Sequence, residues 1–179
     1  VAWNLVDEVA TKSRFTEAVD RRADALVASS PARATAGVKL PPLARTREGD
    51  TIRFEHVTLA IDRDKRTATL TLKGPEAGLP TDAKSIRALG ASWWPLAAFR
   101  EFDEALLTLR HNEEEIGLIL LRTEGDVAAC LEFDRVLETN AGDWFVDEVR
   151  SFIARTLRRL DLTARSLYAL IEPGSCFAG

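Results

Sequence analysis

From His56 to Leu72 the chain keeps strict two-residue alternation, and this more than any other feature limits what it can become. Val57, Leu59 and Ile61 take one phase, and His56, Thr58, Ala60 and Asp62 take the other. After the polar stretch Arg63-Asp64-Lys65-Arg66, Ala68, Leu70 and Leu72 alternate with Thr67, Thr69 and Thr71. Alternation at period two presents one apolar face only when the backbone is extended. Two such runs across a short polar turn predict a β-hairpin, closed by Gly74-Pro75.

Helical spacing follows. Ser92 is the expected N-cap of a helix that tolerates Pro95 in its first turn and carries Ala98, Phe99, Phe102, Ala105, Leu106 and Leu109 on one face. Glu76–Ala91, before it, reads as a long loop. Ile116–Arg122 is a short apolar run of the kind buried on both faces of a parallel sheet. A helix is expected over Val127–Glu138 and another over Asp143–Leu160, with Trp144, Phe145, Val149, Phe152, Ile153, Leu157 and Leu160 inward. Ser166–Ile171 is the next expected buried strand. This order is that of an α/β fold.

Upstream, Val1–Val9 reads as strand. Ser13 is the expected cap of an amphipathic helix with Phe15, Ala18, Val19, the Arg22 stem and Leu26 on one face. From Pro31 to about Asp50, prolines and glycines break every period, which predicts a linker without regular structure. The expected division is therefore residues 1–30, a linker at 31–52, and a second unit at 53–179.

With 46% hydrophobic and 29% charged residues, the 179-residue chain has the balance of a core-forming protein. A net charge of −4 argues against a nucleic-acid partner. The apolar run ending at Leu121 is too short to span a bilayer, and no membrane association is expected. Two cysteines, Cys130 and Cys176, are too few for a disulfide scaffold and point to a reducing, cytoplasmic setting. The chain lacks methionine, opens inside a strand-like run and stops directly after Pro173–Ala178; an internal fragment of a longer protein is expected.

Leu5-Val6-Asp7-Glu8-Val9, Leu72-Lys73-Gly74-Pro75 and Ile171-Glu172-Pro173-Gly174-Ser175-Cys176-Phe177-Ala178-Gly179 together resemble motifs of the crotonase (enoyl-CoA hydratase) superfamily. Leu5-Val6-Asp7-Glu8-Val9 is similar to the closing segment of such a domain. Leu72-Lys73-Gly74-Pro75 resembles the corner after its opening hairpin, and Ile171-Glu172-Pro173-Gly174-Ser175-Cys176-Phe177-Ala178-Gly179 resembles its strand and glycine-rich turn. The resemblance implies a crotonase-like (ClpP/crotonase) fold. Residues 1–30 would be the C-terminal tail of a first copy and 53–179 the N-terminal half of a second. With the wording around Trp93-Trp94-Pro95-Leu96 and Thr123-Glu124-Gly125-Asp126, it further implies a tandem ring-opening lyase. Such an enzyme would hydrolytically open the oxygenated, dearomatised ring of an aromatic acyl-CoA and release formate. Its partner would be the acyl-CoA substrate, with no metal or redox cofactor because CoA belongs to the substrate, and the full-length enzyme would be a homo-oligomer. A generic enoyl-CoA hydratase or isomerase, and a non-catalytic assembly half, remain as alternatives.

In that family two backbone N–H groups hold the thioester oxygen as negative charge develops on it. The resemblance places one donor at Gly179. The other should fall near Asp126-Val127-Ala128-Ala129-Cys130, where the family's Ala-Gly-x-Asp pattern is missing. No catalytic residue is assigned; Asp126, Glu132 and Glu172 are the acids to search should the chain prove active. Each remaining candidate has a plainer role beside the functional one. Cys176 and Cys130 are packing residues or a nucleophile, and His56 and His111 are solvated rather than catalytic. Glu113-Glu114-Glu115 is a solvated helix end. Arg155, Arg158 and Arg159 ride an exposed face or meet CoA phosphates. Trp93-Trp94 staples a helix start or lines an acyl pocket.

Overall fold

The computed structural model describes residues 3, 5–31 and 37–178. The chain divides into two compact units, Val1–Gly37 and Val38–Gly179.

The first unit is one helix with an irregular lead. A 3-10 turn at Lys12–Arg14 runs into α1 (Phe15–Ser29). Ser13 does not cap it: the N-cap is Arg14, without a side-chain bond, and the Ser13 hydroxyl lies 3.2 Å from that of Thr11. The expected strand over Val1–Val9 is absent among the described residues, where Leu5–Thr11 has no strand pairing. Trp3, Leu5, Val9 and Phe15 are exposed, so the apolar stripe of α1 has no core of its own.

The second unit is a mixed α/β fold on a six-stranded sheet in the order β1-β2-β3-β4-β5-β6. The strands are β1 (Thr46–Glu48), β2 (Thr51–Arg53), β3 (Val57–Asp62), β4 (Thr67–Lys73), β5 (Leu118–Glu124) and β6 (Ser166–Ala169). The first four are antiparallel neighbours; β5 pairs parallel with both β4 and β6. The predicted hairpin is β3–β4, with Leu59 opposite Leu70 and Ile61 opposite Ala68. Pairing continues Ala68 to Ile119 and Ile119 to Leu167, so one face carries continuous apolar rows.

The helices are α2 (Ala83–Leu89), α3 (Trp94–Asn112), α4 (Val127–Thr139) and α5 (Trp144–Asp161). All six apolar positions expected on α3 are buried, and Phe102, Ala105, Leu106 and Leu109 pack on Leu59, Leu70 and Ile119 of the sheet. α5 packs on α3. A second cluster joins Ile86, Trp93, Leu96, Val136, Phe145, Val146 and Val149. Asp126 and Asp143 cap α4 and α5 through their carboxylates, which satisfies N–H groups that a helix start leaves free. No helix among the described residues is long and apolar enough to cross a membrane.

Other expectations fail for local reasons. The stretch Pro31–Asp50 is not wholly irregular, because Thr46–Glu48 and Thr51–Arg53 form a hairpin across Gly49-Asp50, and Ile52 is buried opposite Leu59. The loop expected at Glu76–Ala91 contains α2, whose N-cap Asp82 accepts from the Ser85 N–H at 3.0 Å. Ser92 does not cap α3; it ends a 3-10 turn, and Trp93 is the N-cap. The Ile116–Arg122 run is strand, shifted to Leu118–Glu124, with Ile119 fully buried and its neighbours only half-covered. The Ser166–Ile171 run is a shorter, exposed edge strand: among the described residues nothing pairs beyond it, and Tyr168 is 61% exposed. On α5, Leu157 is exposed instead of inward.

Glu113 is not a solvated helix end either. It is buried, and its carboxylate meets Arg63 at 2.8 Å and Arg47 at 3.4 Å, while Arg63 also holds Asp50 at 2.9 Å and pairs with the exposed Glu115. Arg165 closes the same end of α3 by donating to the carbonyls of Leu109, Glu113 and Ile116 at 2.7, 3.0 and 2.6 Å.

Two outcomes follow from these contacts. Glu113→Ala should lower stability in urea unfolding by about 1–2 kcal/mol, since both guanidiniums remain half in water after losing the carboxylate. Limited trypsinolysis should cut after Lys39, which is exposed and outside any strand, before it cuts at Arg47 or Arg53, which lie in paired strands.

Candidate functional site

Three chain segments meet where the parallel strands end. The Gly74 N–H, after β4, donates to the Glu124 carbonyl of β5 at 2.8 Å. The Gly125 N–H donates to the Gly174 carbonyl at 3.0 Å, and the Leu170 N–H to the Leu121 carbonyl at 2.9 Å. Beyond β6 the chain turns at Glu172–Ser175, with the Ser175 N–H bonded to the Glu172 carbonyl at 3.0 Å. Gly174 there has φ +87°, which is the conformation this turn position demands after proline. The Cys176 N–H then donates to the Thr123 hydroxyl at 2.9 Å. Gly74 has no room for a side chain: a Cβ would sit 2.8 Å from the Cys176 sulfur and 3.5 Å from the Cys130 sulfur.

Beside this junction lies a cavity of about 520 Å3, within the range of small-molecule sites. Its sheet side is Leu72, Leu121 and Thr123, and α3 contributes Trp94, Phe99 and Phe102. Cys130, Phe133, Asp134 and Leu137 of α4, Ile153, Leu157 and Leu160 of α5, and Cys176–Ala178 complete it. Trp94 stands edge-on to Phe133 at 5.4 Å and to Phe99 at 6.5 Å, and its indole N–H donates to the Lys73 carbonyl at 3.2 Å. Ring faces and edges in such a wall favour a planar or near-planar apolar guest. The polar groups here are few. Asp134 is half-buried, and burial, then repulsion from Glu138, pushes its carboxyl above the usual range. Burial in the same wall pushes the Cys130 thiol up to about 12, with neighbouring Cys176 adding to the effect.

The amide cluster after β5 is arranged differently from an oxyanion donor. Asp126 Oδ1 accepts the Ala128 N–H at 2.9 Å, so a carboxylate occupies the start of α4. A smaller cavity of about 210 Å3 opens there, lined by Glu76, Asp126 and Glu132 beside Ala77–Leu79, Ala128 and Ala129. Three acids around one opening repel an enolate or a phosphate. Gly179, the other expected donor, lies outside the described residues.

The remaining candidates are dispersed. Trp93 is fully buried in the second cluster, and Trp94 alone of the pair lines the large cavity. Cys130 and Cys176, 46 positions apart, converge on Gly74. Arg159 is held by Asp103 at 2.6 Å, Arg155 lies 5.2 Å from the Phe152 ring centroid, and Arg158 is exposed on α5. Glu172 pairs with Arg122 at 2.6 Å. His111 is exposed at the end of α3, whereas His56 is half-buried at the β2–β3 corner.

That corner holds a residue the sequence reading passed over. Glu101 is buried on the sheet side of α3, three residues after Ala98 and four before Ala105, and Oε2 accepts the His56 N–H at 2.7 Å. Its helical spacing among apolar neighbours was the available signal. Potential ligand atoms of Glu55, His56 and Glu101 lie within 4.8 Å of one another, the grouping among the described residues that could hold a cation. Their evident work is structural, since Glu101 fixes the corner. Burial raises the Glu101 carboxyl, partly offset by the His56 N–H. A carboxyl raised on folding stabilises most below its unfolded value, about 4.3, and loses that contribution as pH rises through the folded-state pKa. Wild-type stability should therefore fall relative to Glu101→Gln as pH rises from about 4 through the raised folded-state value, measured in parallel urea titrations; equal pH dependence in both proteins would contradict the burial argument.

No family model matches the chain. Against curated proteins, it is 47% identical over 178 residues to a benzoyl-CoA-dihydrodiol lyase of Aromatoleum evansii. The match takes in 99% of this chain and 32% of that protein, so the chain spans about a third of the length of the curated relative it resembles.

Proposed function

We propose that the chain is part of a ring-opening lyase that acts on a benzoyl-CoA dihydrodiol or the corresponding 2,3-epoxide, yielding a semialdehyde CoA thioester and formate. The observation that carries this reading is 47% identity sustained along 99% of the chain, which leaves no described element outside the match. The second unit is read as the opening half of a crotonase-like copy and residues 1–30 as the tail of a preceding one, within a homo-oligomeric cytoplasmic enzyme that needs no metal or redox cofactor. The apolar cavity supports a substrate whose acyl part is a carbon ring.

Within that enzyme this stretch serves as framework and cavity wall rather than as the acid–base centre. Two arrangements favour the division. The Asp126 carboxylate already occupies the amide where an oxyanion donor would be needed. In the large cavity Asp134 is the carboxyl present, whereas water activation between two acids requires a facing pair. Acid–base catalysis contributes about 10²–10⁴-fold, and one oxyanion donor about 10²–10³; a unit lacking the facing acids and the α4 donor stays near background.

The test compares the 179-residue chain with a protein of the relative's full length, each incubated with 2,3-epoxybenzoyl-CoA and with crotonyl-CoA. Formate and the semialdehyde thioester should appear with the long protein only. Crotonyl-CoA hydration without ring opening would replace this reading with a generic hydratase, and formate release by the short chain would refute the framework role.

A further inference from the structure

We propose that Cys130 and Cys176 are a redox modification site, a dithiol that a peroxide converts to an intrachain disulfide at the junction of α4 with the segment following β6. The pairing is built rather than incidental. A Cβ built on Gly74 would lie 2.8 Å from the Cys176 sulfur and 3.5 Å from the Cys130 sulfur, so both sulfurs border the space that the missing side chain leaves open. Both are free and buried, and both line the 520 Å3 cavity, which is ample for a peroxide molecule. Cys176 is positioned by the Thr123 hydroxyl on its N–H and Cys130 by the first turn of α4, so each sulfur is carried on an anchored backbone.

The chemistry balances with hydrogen peroxide as oxidant. Sulfur attacks as thiolate. One of the two displaces hydroxide from the peroxide and becomes a sulfenic acid. The other sulfur then attacks that sulfur and expels the hydroxide, which leaves as water with the second thiol's proton. Two thiols and one peroxide give one disulfide and two waters. The new bond ties α4 to the turn at Glu172–Ser175 and places a covalent bridge in the cavity wall. The inference stands on the thiol geometry and does not depend on the proposed lyase activity.

The experiment treats the purified protein with equimolar hydrogen peroxide, blocks remaining thiols with N-ethylmaleimide under denaturing conditions, and maps tryptic peptides by mass spectrometry. A monomer about 2 Da lighter, a Cys130–Cys176 linked peptide and full reversal by dithiothreitol are expected. Cys130→Ser and Cys176→Ser should each abolish the link. Gly74→Ala, which keeps both thiols, should slow linkage at least several-fold by crowding a methyl group against both sulfurs. The wild-type peptide map needs no variant to fold, and circular dichroism checks those used. Two maleimide adducts after peroxide treatment, an intermolecular dimer as the sole product, or an unchanged rate in well-folded Gly74→Ala would overturn the proposal.

Discussion

Parallel pairing between β4 and β5 is the interaction on which the second unit rests. Seven consecutive partners, Thr67–Leu118 through Lys73–Glu124, join strands separated by 44 residues. Parallel strands cannot be joined by a tight turn, so the chain must leave the end of β4 and return to the start of β5. α2 and α3 occupy that crossover, and α3 covers the apolar rows that β3, β4 and β5 present together. The requirement fixes both ends of α3: Arg165, Glu113, Arg63 and Arg47 secure its C-terminus, while Trp93 and Pro95 seat its N-terminus in buried surroundings.

The same pairing creates the strand-end junction. Because β4, β5 and β6 run together, their ends open on one edge, and the segments leaving them must cross at close quarters. Gly74 answers the crowding by having no side chain, and Thr123 answers it with a hydroxyl that anchors Cys176. The large cavity lies on the helix side of that crossing and is apolar with few polar groups. The smaller one, beside Asp126, is acidic. The two openings therefore differ in chemistry as well as size: one accommodates a hydrocarbon ring and the other disfavours an anion.

Much of this fold was legible because its signals are local and repetitive. The β3–β4 hairpin followed from alternation and the buried face of α3 from helical spacing. What failed depended on partners far along the chain. Ile52 and its short flanking strands were hidden by neighbouring prolines and glycines, and only Leu59 across the ladder gives them a reason to be extended. Glu113 looks like one of three solvated acids until Arg63 and Arg47 arrive from the opposite hairpins. The site was less legible still. No period or motif joins Cys130 to Cys176, because what brings them together is a glycine on a third segment.

The two sheet edges have unequal prospects. At one, β1 is three residues long and presents Thr46, Arg47 and Glu48, a short charged border that discourages another strand from docking. At the other, Ser166–Ala169 is followed by Ile171, 80% exposed, and carries an exposed Tyr168. Its outward backbone N–H and C=O groups have no partner strand among the described residues. Among the described residues, the charged β1 border therefore discourages edge-to-edge pairing more than the apolar β6 border does.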